Sequence, residues 1–162
     1  MGLFDKLLGA SRQTEVGSPV EGDIVPIETV NDETFSQEML GKSVAILPAE
    51  GKFHAPADGV LESLFPTGHA YAVKTEKGAE ILVHIGLETV KLDGKHFTLH
   101  ATQGDTVKKG DLLVEVDLEA VKNDGYDIVT PILILNSDDF AQIEKKEGHV
   151  SVQDPIMILT HK

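Results

Sequence analysis

Residues 65–86 read FPTGHAYAVKTEKGAEILVHIG, and how this stretch pairs with itself decides the fold. Tyr71-Ala-Val-Lys-Thr75 and Glu80-Ile-Leu-Val83 are β-rich runs, and Glu76-Lys77-Gly78 between them has the composition of a turn. The stretch reads as a β-hairpin with His69 and His84 near its two outer ends. Opposed residues of an antiparallel pair have numbers that sum to a constant. A two-residue turn at Glu76-Lys77 sets that constant at 153, which is also the sum of 69 and 84. In that register the imidazoles face each other with Cβ atoms about 5 Å apart. A three-residue loop with Gly78 in the left-handed region is equally natural, and it puts the rings on opposite faces unless a bulge intervenes. The facing pair is the working expectation.

Outward from the hairpin, short β-runs are broken at close intervals by Gly22-Asp23, Pro48 to Gly51, Asp58-Gly59, Asp93-Gly94, Gly104-Asp105 and Lys109 to Asp111. This spacing predicts an all-β antiparallel sandwich or barrel. Ser18-Pro-Val-Glu-Gly-Asp-Ile24 and Ala55-Pro-Ala-Asp-Gly-Val-Leu61 lie 37 residues apart and share one plan: Pro, two residues, Gly, then a strand. They suggest a duplicated strand-turn unit. Residues 103–116 read as a strand, a tight Gly-Asp turn and a second strand. Helical signal is confined to short turns at Thr34 to Leu40 and Leu118 to Asn123. Closing strands are expected at Ile128 to Leu135, Gly148 to Val152 and Pro155 to Thr160.

The 162 residues suit one domain, placed at 18–162 behind a flexible N-terminal tail, 1–17. Met1, Leu3, Phe4, Leu7 and Leu8 share a helical stripe, but ten residues cannot hold a helix alone in water. Residues 1–10 are expected to be a frayed end, or a weak interfacial helix giving peripheral membrane contact. No cysteine is present, which excludes disulfides and thiolate metal ligands. No apolar run reaches the roughly 20 residues of a membrane span and the start lacks a signal peptide's pattern, so the expected location is the cytoplasm. A formal charge of −13 without a basic stripe argues against nucleic acid as a partner.

Of the seven histidines, His84 has the distinctive setting. Ile81-Leu-Val-His-Ile-Gly86 embeds an imidazole in an apolar strand, and burial keeps such a ring neutral near pH 7. With one nitrogen held by a backbone carbonyl, the other is a free nucleophile, and Gly86 lets the backbone approach closely enough to be that partner. His69 opposite can donate to an anion formed on His84, and Thr67 can orient the His69 ring. The pair His96 and His100, in HFTLH, shares a strand face but lacks a third metal ligand at a recognised spacing. His149 and His161 read as structural or surface residues. Walker, dinucleotide, nucleophile-elbow and His-Glu-x-x-His motifs are absent from the sequence.

At these residues the chain resembles the glucose-type enzyme IIA family of the bacterial sugar phosphotransferase system. The resemblance runs through MGLFDKL, GDIVPIETV, APADGVLESLFPTGHAYAV, EILVHIGLETVKLDGKHF, GDTVKKGDLL and TPILILN, and is most specific in VHIG with PTGHA at a 15-residue interval. It implies a flattened antiparallel β-sandwich with a shallow depression. It implies that His84 carries a phosphoryl group on Nε2, with His69 as its stabiliser and Thr67 hydrogen-bonded to His69. The group would come from the histidine-containing phosphocarrier protein, HPr, and pass to the IIB domain of a sugar permease, glucose by default. The family's apolar docking rim falls on Phe35, Met39, Leu40, Phe65, Leu82 and Val90, and its two acidic positions on Asp32 and Glu88; the second is usually aspartate. No cofactor is implied, although the family allows a zinc ion bridged by His69, His84 and a partner's carboxylate in a regulatory complex.

Two other classes compete. The GDTVKKGD turn resembles biotinyl and lipoyl swinging-arm carriers, but Lys74 and Lys77 lack the flanking residues such domains need. A zinc hydrolase of duplicated-hybrid type requires a His-x-His pair, which this sequence does not contain. A non-catalytic regulatory binding protein remains as an additional role.

Overall fold

The structure, a computed structural model, describes residues 12–162. The stripe at 1–10 lies outside the described residues. The chain folds into three antiparallel sheets. The largest has eight strands in the order β13 (Gly148–Val150), β2 (Gly22–Val25), β3 (Lys42–Pro48), β11 (Thr130–Ile134), β7 (Glu80–His84), β6 (Ala70–Lys74), β5 (Gly59–Leu64) and β9 (Thr106–Val107). Two three-stranded sheets complete the fold: β1 (Gln13–Gly17), β14 (Pro155–His161), β12 (Phe140–Lys145), and β4 (Lys52–His54), β10 (Leu112–Val116), β8 (Phe97–Leu99). Helix is limited to α1 (Glu33–Ser36), α2 (Leu118–Asn123) and single 3-10 turns. No helix among the described residues is long and apolar enough to cross a membrane.

The large sheet reads symmetrically from both ends. β13-β2-β3 on one side answers β9-β5-β6 on the other, and β11 and β7 meet in the middle. The 37-residue echo in the sequence lies on this symmetry. Gly17 N donates to Pro56 O (2.8 Å) and His54 N to Pro19 O (2.7 Å); Ser18 N donates to Asp154 O and Ala55 N to Asp111 O. Gly22 and Gly59 open the equivalent strands for one reason. A Cβ on either would stand 2.2 Å from a carbonyl of the neighbouring strand, Leu47 O or Lys74 O.

Alternation along the central strands sorts the side chains. Tyr71, Val73, Ile81, Val83, Ile132 and Ile134 enter the main core, each with essentially no exposure. Burying side chains of this size is worth about 1.5–3 kcal/mol apiece. The opposite face carries a second apolar cluster, Ile27, Val30, Phe35, Ala45, Leu87, Val129 and Leu133, against which Leu82 packs. His84 shares that face with Leu82.

Two features depart from the sequence-based expectations. The domain does not begin at 18: residues 13–17 form β1, paired with β14 from Gln13↔Thr160 onward, and Val16 is fully buried. A strand with so little apolar alternation is ordered by its partner and does not announce itself. β12 was not among the expected strands either, since only Phe140 and Ile143 of FAQIEK point inward. The two strands expected within 103–116 both form, and each pairs elsewhere. β9 joins β5, and β10 joins β4 and β8.

Candidate functional site

The 65–86 hairpin forms with a register that differs from the working expectation. Its pairs are Ala70↔His84, Tyr71↔Val83, Ala72↔Leu82, Val73↔Ile81 and Lys74↔Glu80, a constant of 154 rather than 153. The loop is the three-residue form. Thr75 N donates to Ala79 O (2.9 Å), and Gly78 sits at φ +94°, a conformation glycine adopts without cost.

In this register strict alternation would send His69 to the core side with Tyr71. The chain avoids that by bending at the strand's start. Residues 65–68 make a tight turn, closed by Gly68 N to Phe65 O (2.8 Å) with Gly68 at φ +77°, so His69 sits in the bend just before the strand, its carbonyl still accepting from Ile85 N (2.7 Å). Its ring stands edge-on to that of His84, with centroids 5.2 Å apart. Phe97 and Leu99 of β8 back this turn; a Cβ on Gly68 would lie 3.1 Å from Phe97 Cβ and 3.0 Å from Leu99 Cδ2. No local signal ties β8 to a turn some 30 residues earlier in the sequence, and the sequence reading misses this support.

Each imidazole is anchored through Nδ1. His84 Nδ1 lies 2.7 Å from the Gly86 carbonyl oxygen, an acceptor only, so the ring carries its proton on Nδ1 and leaves Nε2 with a free lone pair. His69 Nδ1 is hydrogen-bonded to the Thr67 hydroxyl. Gly86 sits at φ +75°, and a Cβ there would be 2.7 Å from Thr89 Cγ2 and 2.8 Å from Asp127 O. The Thr89 hydroxyl donates to Ile85 O and Leu87 N to Asp127 O, so the turn after His84 is fixed on both sides.

Both rings are neutral at pH 7. Burial drives His69 down to about 4, and the neighbouring His84 pushes the same way. Burial also lowers His84, opposed by its hydrogen bond to Gly86 and by the Asp32 carboxylate. His69 is only 4% exposed, whereas His84 is half-buried.

Phe35 stacks on His84 (centroids 5.0 Å, tilted) and Phe65 meets His69 edge-on at 5.0 Å. Met39, Leu40, Phe65 and Val90 are exposed, Met39 by 67%, while Phe35 is buried and Leu82 half-buried. Asp32 caps α1, its Oδ1 accepting from Thr34 N at 2.9 Å. Glu88 has a left-handed backbone (φ +57°), and its carboxylate pairs with Lys91 at 3.1 Å. The remaining five histidines are held separately, His54 through Nδ1 at 3.0 Å from the Pro19 carbonyl oxygen. His96 pairs with Asp124 (2.8 Å), His100 with Glu115 (2.8 Å), His149 with Asp23 (2.8 Å), and His161 with Thr14 (2.7 Å). Among the described residues no group of three or more His, Asp or Glu side chains is placed to hold a metal ion.

Fold and site together define an all-β domain that offers an anchored imidazole pair at an apolar-edged surface. The chain belongs to the EIIA 1 family of the phosphoenolpyruvate-dependent sugar phosphotransferase system, whose family model matches residues 14–140. It is 39% identical to the glucose-specific EIIA component of Haemophilus influenzae, over the full length of both chains. It is 44% identical over 149 residues to the beta-glucoside-specific EIIBCA component of Dickeya chrysanthemi. That match covers 91% of this chain but 24% of the larger relative. The solved glucose permease IIA from Mycoplasma capricolum superposes with a TM-score of 0.87 at 39% identity, covering 98% of this chain and 99% of that one.

Proposed function

We propose that this chain is a phosphocarrier: His84 takes a phosphoryl group from the phosphohistidine of HPr and passes it to the IIB domain of a sugar permease, in the cytoplasm. The observation that carries the reading is the Nδ1 anchor of His84 on the Gly86 carbonyl, which leaves Nε2 of a neutral ring as the nucleophile. In the first transfer the Nε2 lone pair attacks phosphorus, the donor's P–N bond breaks, and its electron pair returns to the donor imidazole. Nδ1 keeps its proton. The positive charge that develops on the ring is faced by the Gly86 carbonyl and by Asp32, which already favours it. With the Thr67 hydroxyl donating to Nδ1, His69 carries its proton on Nε2 and donates to a phosphoryl oxygen. Phosphoryl transfer is governed by positioning and charge stabilisation, which is what this arrangement supplies.

The exposed edge of Met39, Leu40, Phe65 and Val90 suits partners that dock, exchange and leave, because a modest apolar contact with few ordered charges binds transiently. Fusion of the equivalent segment to B and C components in the Dickeya relative supports a permease partner. A zinc ion completed by a partner's carboxylate would use the same two Nε2 atoms, and so would compete with transfer. Incubation with labelled phosphoenolpyruvate, enzyme I and HPr tests the proposal. Acid-labile label on this chain, chased by a IIB domain, is expected; a chain that takes no label would overturn it.

A further inference from the structure

The segment between β2 and β3 carries Asp32, α1, Phe35, Met39 and Leu40, and so brings both a ring contact and the exposed apolar edge to His84. From within, it is ordered by one 3-10 turn (Ile27–Thr29) and the single turn of α1. Its return to β3 is fixed by Glu38, whose backbone is left-handed at φ +53°. The Glu38 carboxylate accepts from Ser43 N (2.8 Å) and from Lys145 Nζ (2.9 Å), with Lys42 Nζ at 3.8 Å. Lys145 ends β12, 107 residues further along the chain and in a different sheet. Burial alone would raise the Glu38 carboxyl, but the Lys145 and Ser43 hydrogen bonds outweigh it and hold the group below the ordinary carboxylate range, so it is ionised. With Glu38 20% and Lys145 35% exposed, the pair is part-buried and so partly shielded from solvent screening.

We infer that Glu38 and Lys145 are positioning residues: their ion pair tethers the Asp32–Leu40 segment to the C-terminal sheet and so holds Phe35 on His84 and the Met39–Leu40 edge in its docking geometry. The inference rests on the phosphocarrier reading for its kinetic consequence, but not for its structural one. Phe35 is the link. Its ring lies 5.0 Å from that of His84, so any release of the segment alters the ring current felt by the His84 carbon-bound protons. Besides this ion pair, the segment is held by the packing of Ile27, Val30 and Phe35 in the second apolar cluster.

The test compares the full chain with Lys145→Ala and Lys145→Arg, by NMR of the His84 ring protons and by transfer kinetics with HPr as donor. Lys145→Ala is expected to move the His84 ring signals. It should also raise KM for the phosphorylated donor about two- to fivefold, the size of a part-buried ion pair, with kcat changed less. Lys145→Arg should restore both, and wild-type protein in about 1 M salt should approach the alanine variant. His84 signals and KM that stay at wild-type values in Lys145→Ala would overturn the tether. So would a loss that Lys145→Arg does not repair. If no variant, including the unaltered chain, accepts a phosphoryl group, the transfer reading fails, while the ring-proton comparison still decides the tether.

Discussion

His84 and His69 are the same side chain 5.2 Å apart, yet they come from regions built differently. His84 closes a strand in the middle of an eight-stranded sheet, with Nδ1 on a backbone carbonyl. His69 comes from a turn beside the strand, with Nδ1 on a hydroxyl. A carbonyl can only accept, so it dictates which nitrogen of His84 is bare. A hydroxyl can do either, so His69 adjusts its proton to whatever sits in front of it. On the proposed phosphocarrier reading, the half-buried, tautomer-locked ring would make the bond and the covered, adaptable ring would hydrogen-bond.

The largest expected effect that tests this division comes from His84→Gln. Removing the nucleophile should lower phosphoryl acceptance by more than about a thousandfold, read as acid-labile label. His69→Gln should leave acceptance on His84 in place but slow onward transfer about a hundred- to thousandfold, the cost of one donor to a developing charge. Equal loss in both steps would dissolve the distinction between the two rings. Gly86→Ala sharpens it from the backbone side. The positive φ and the Asp127 carbonyl at 2.8 Å predict about 1–3 kcal/mol lower stability in denaturant titration together with slowed acceptance. Gly78→Ala also meets a positive φ but opens onto empty space, and should cost about 1 kcal/mol without touching transfer. Thr67→Val should have the smallest effect, about fivefold on onward transfer, from losing one hydrogen bond to His69.

The same comparison predicts a pH dependence. Both rings have folded-state pKa values below the ordinary 6.5, so between those values and 6.5 the unfolded chain binds more protons than the folded one. Stability is therefore complete above about pH 6.5 and declines as pH falls toward about 4, the His69 value. His69→Gln should flatten that slope in urea titrations at stepped pH. Acceptance by His84 should stay level at neutral pH and fall on acidification below its ordinary pKa, since protonation removes the Nε2 lone pair.

The fold class and the hairpin are legible in the sequence because the central strands bury whole faces, and β-branched runs separated by Gly, Pro and Asp report that directly. The duplicated strand-turn unit is legible for a related reason, as both copies need glycine where a neighbouring carbonyl crowds the chain. β1 and β12 are less visible because each takes order from β14 and sends few apolar side chains into the core. The hairpin register was decided by a loop of Glu76-Lys77-Gly78 that supports two lengths equally well. Glycine's own freedom selected the longer one. The two histidines still meet, but through the turn at 65–68, whose support from Phe97 and Leu99 is a long-range contact no local pattern carries. The Glu38–Lys145 pair, 107 residues apart, lies beyond local patterns for the same reason.

The account depends on which nitrogen of which ring carries the phosphoryl group. Nitrogen-15 and phosphorus-31 NMR of the chain phosphorylated through HPr measures this directly. The expected result is one phosphoryl group on Nε2 of His84, with Nδ1 of that ring still protonated and His69 unmodified. Phosphorus on Nδ1 of His84, or on His69, would contradict it.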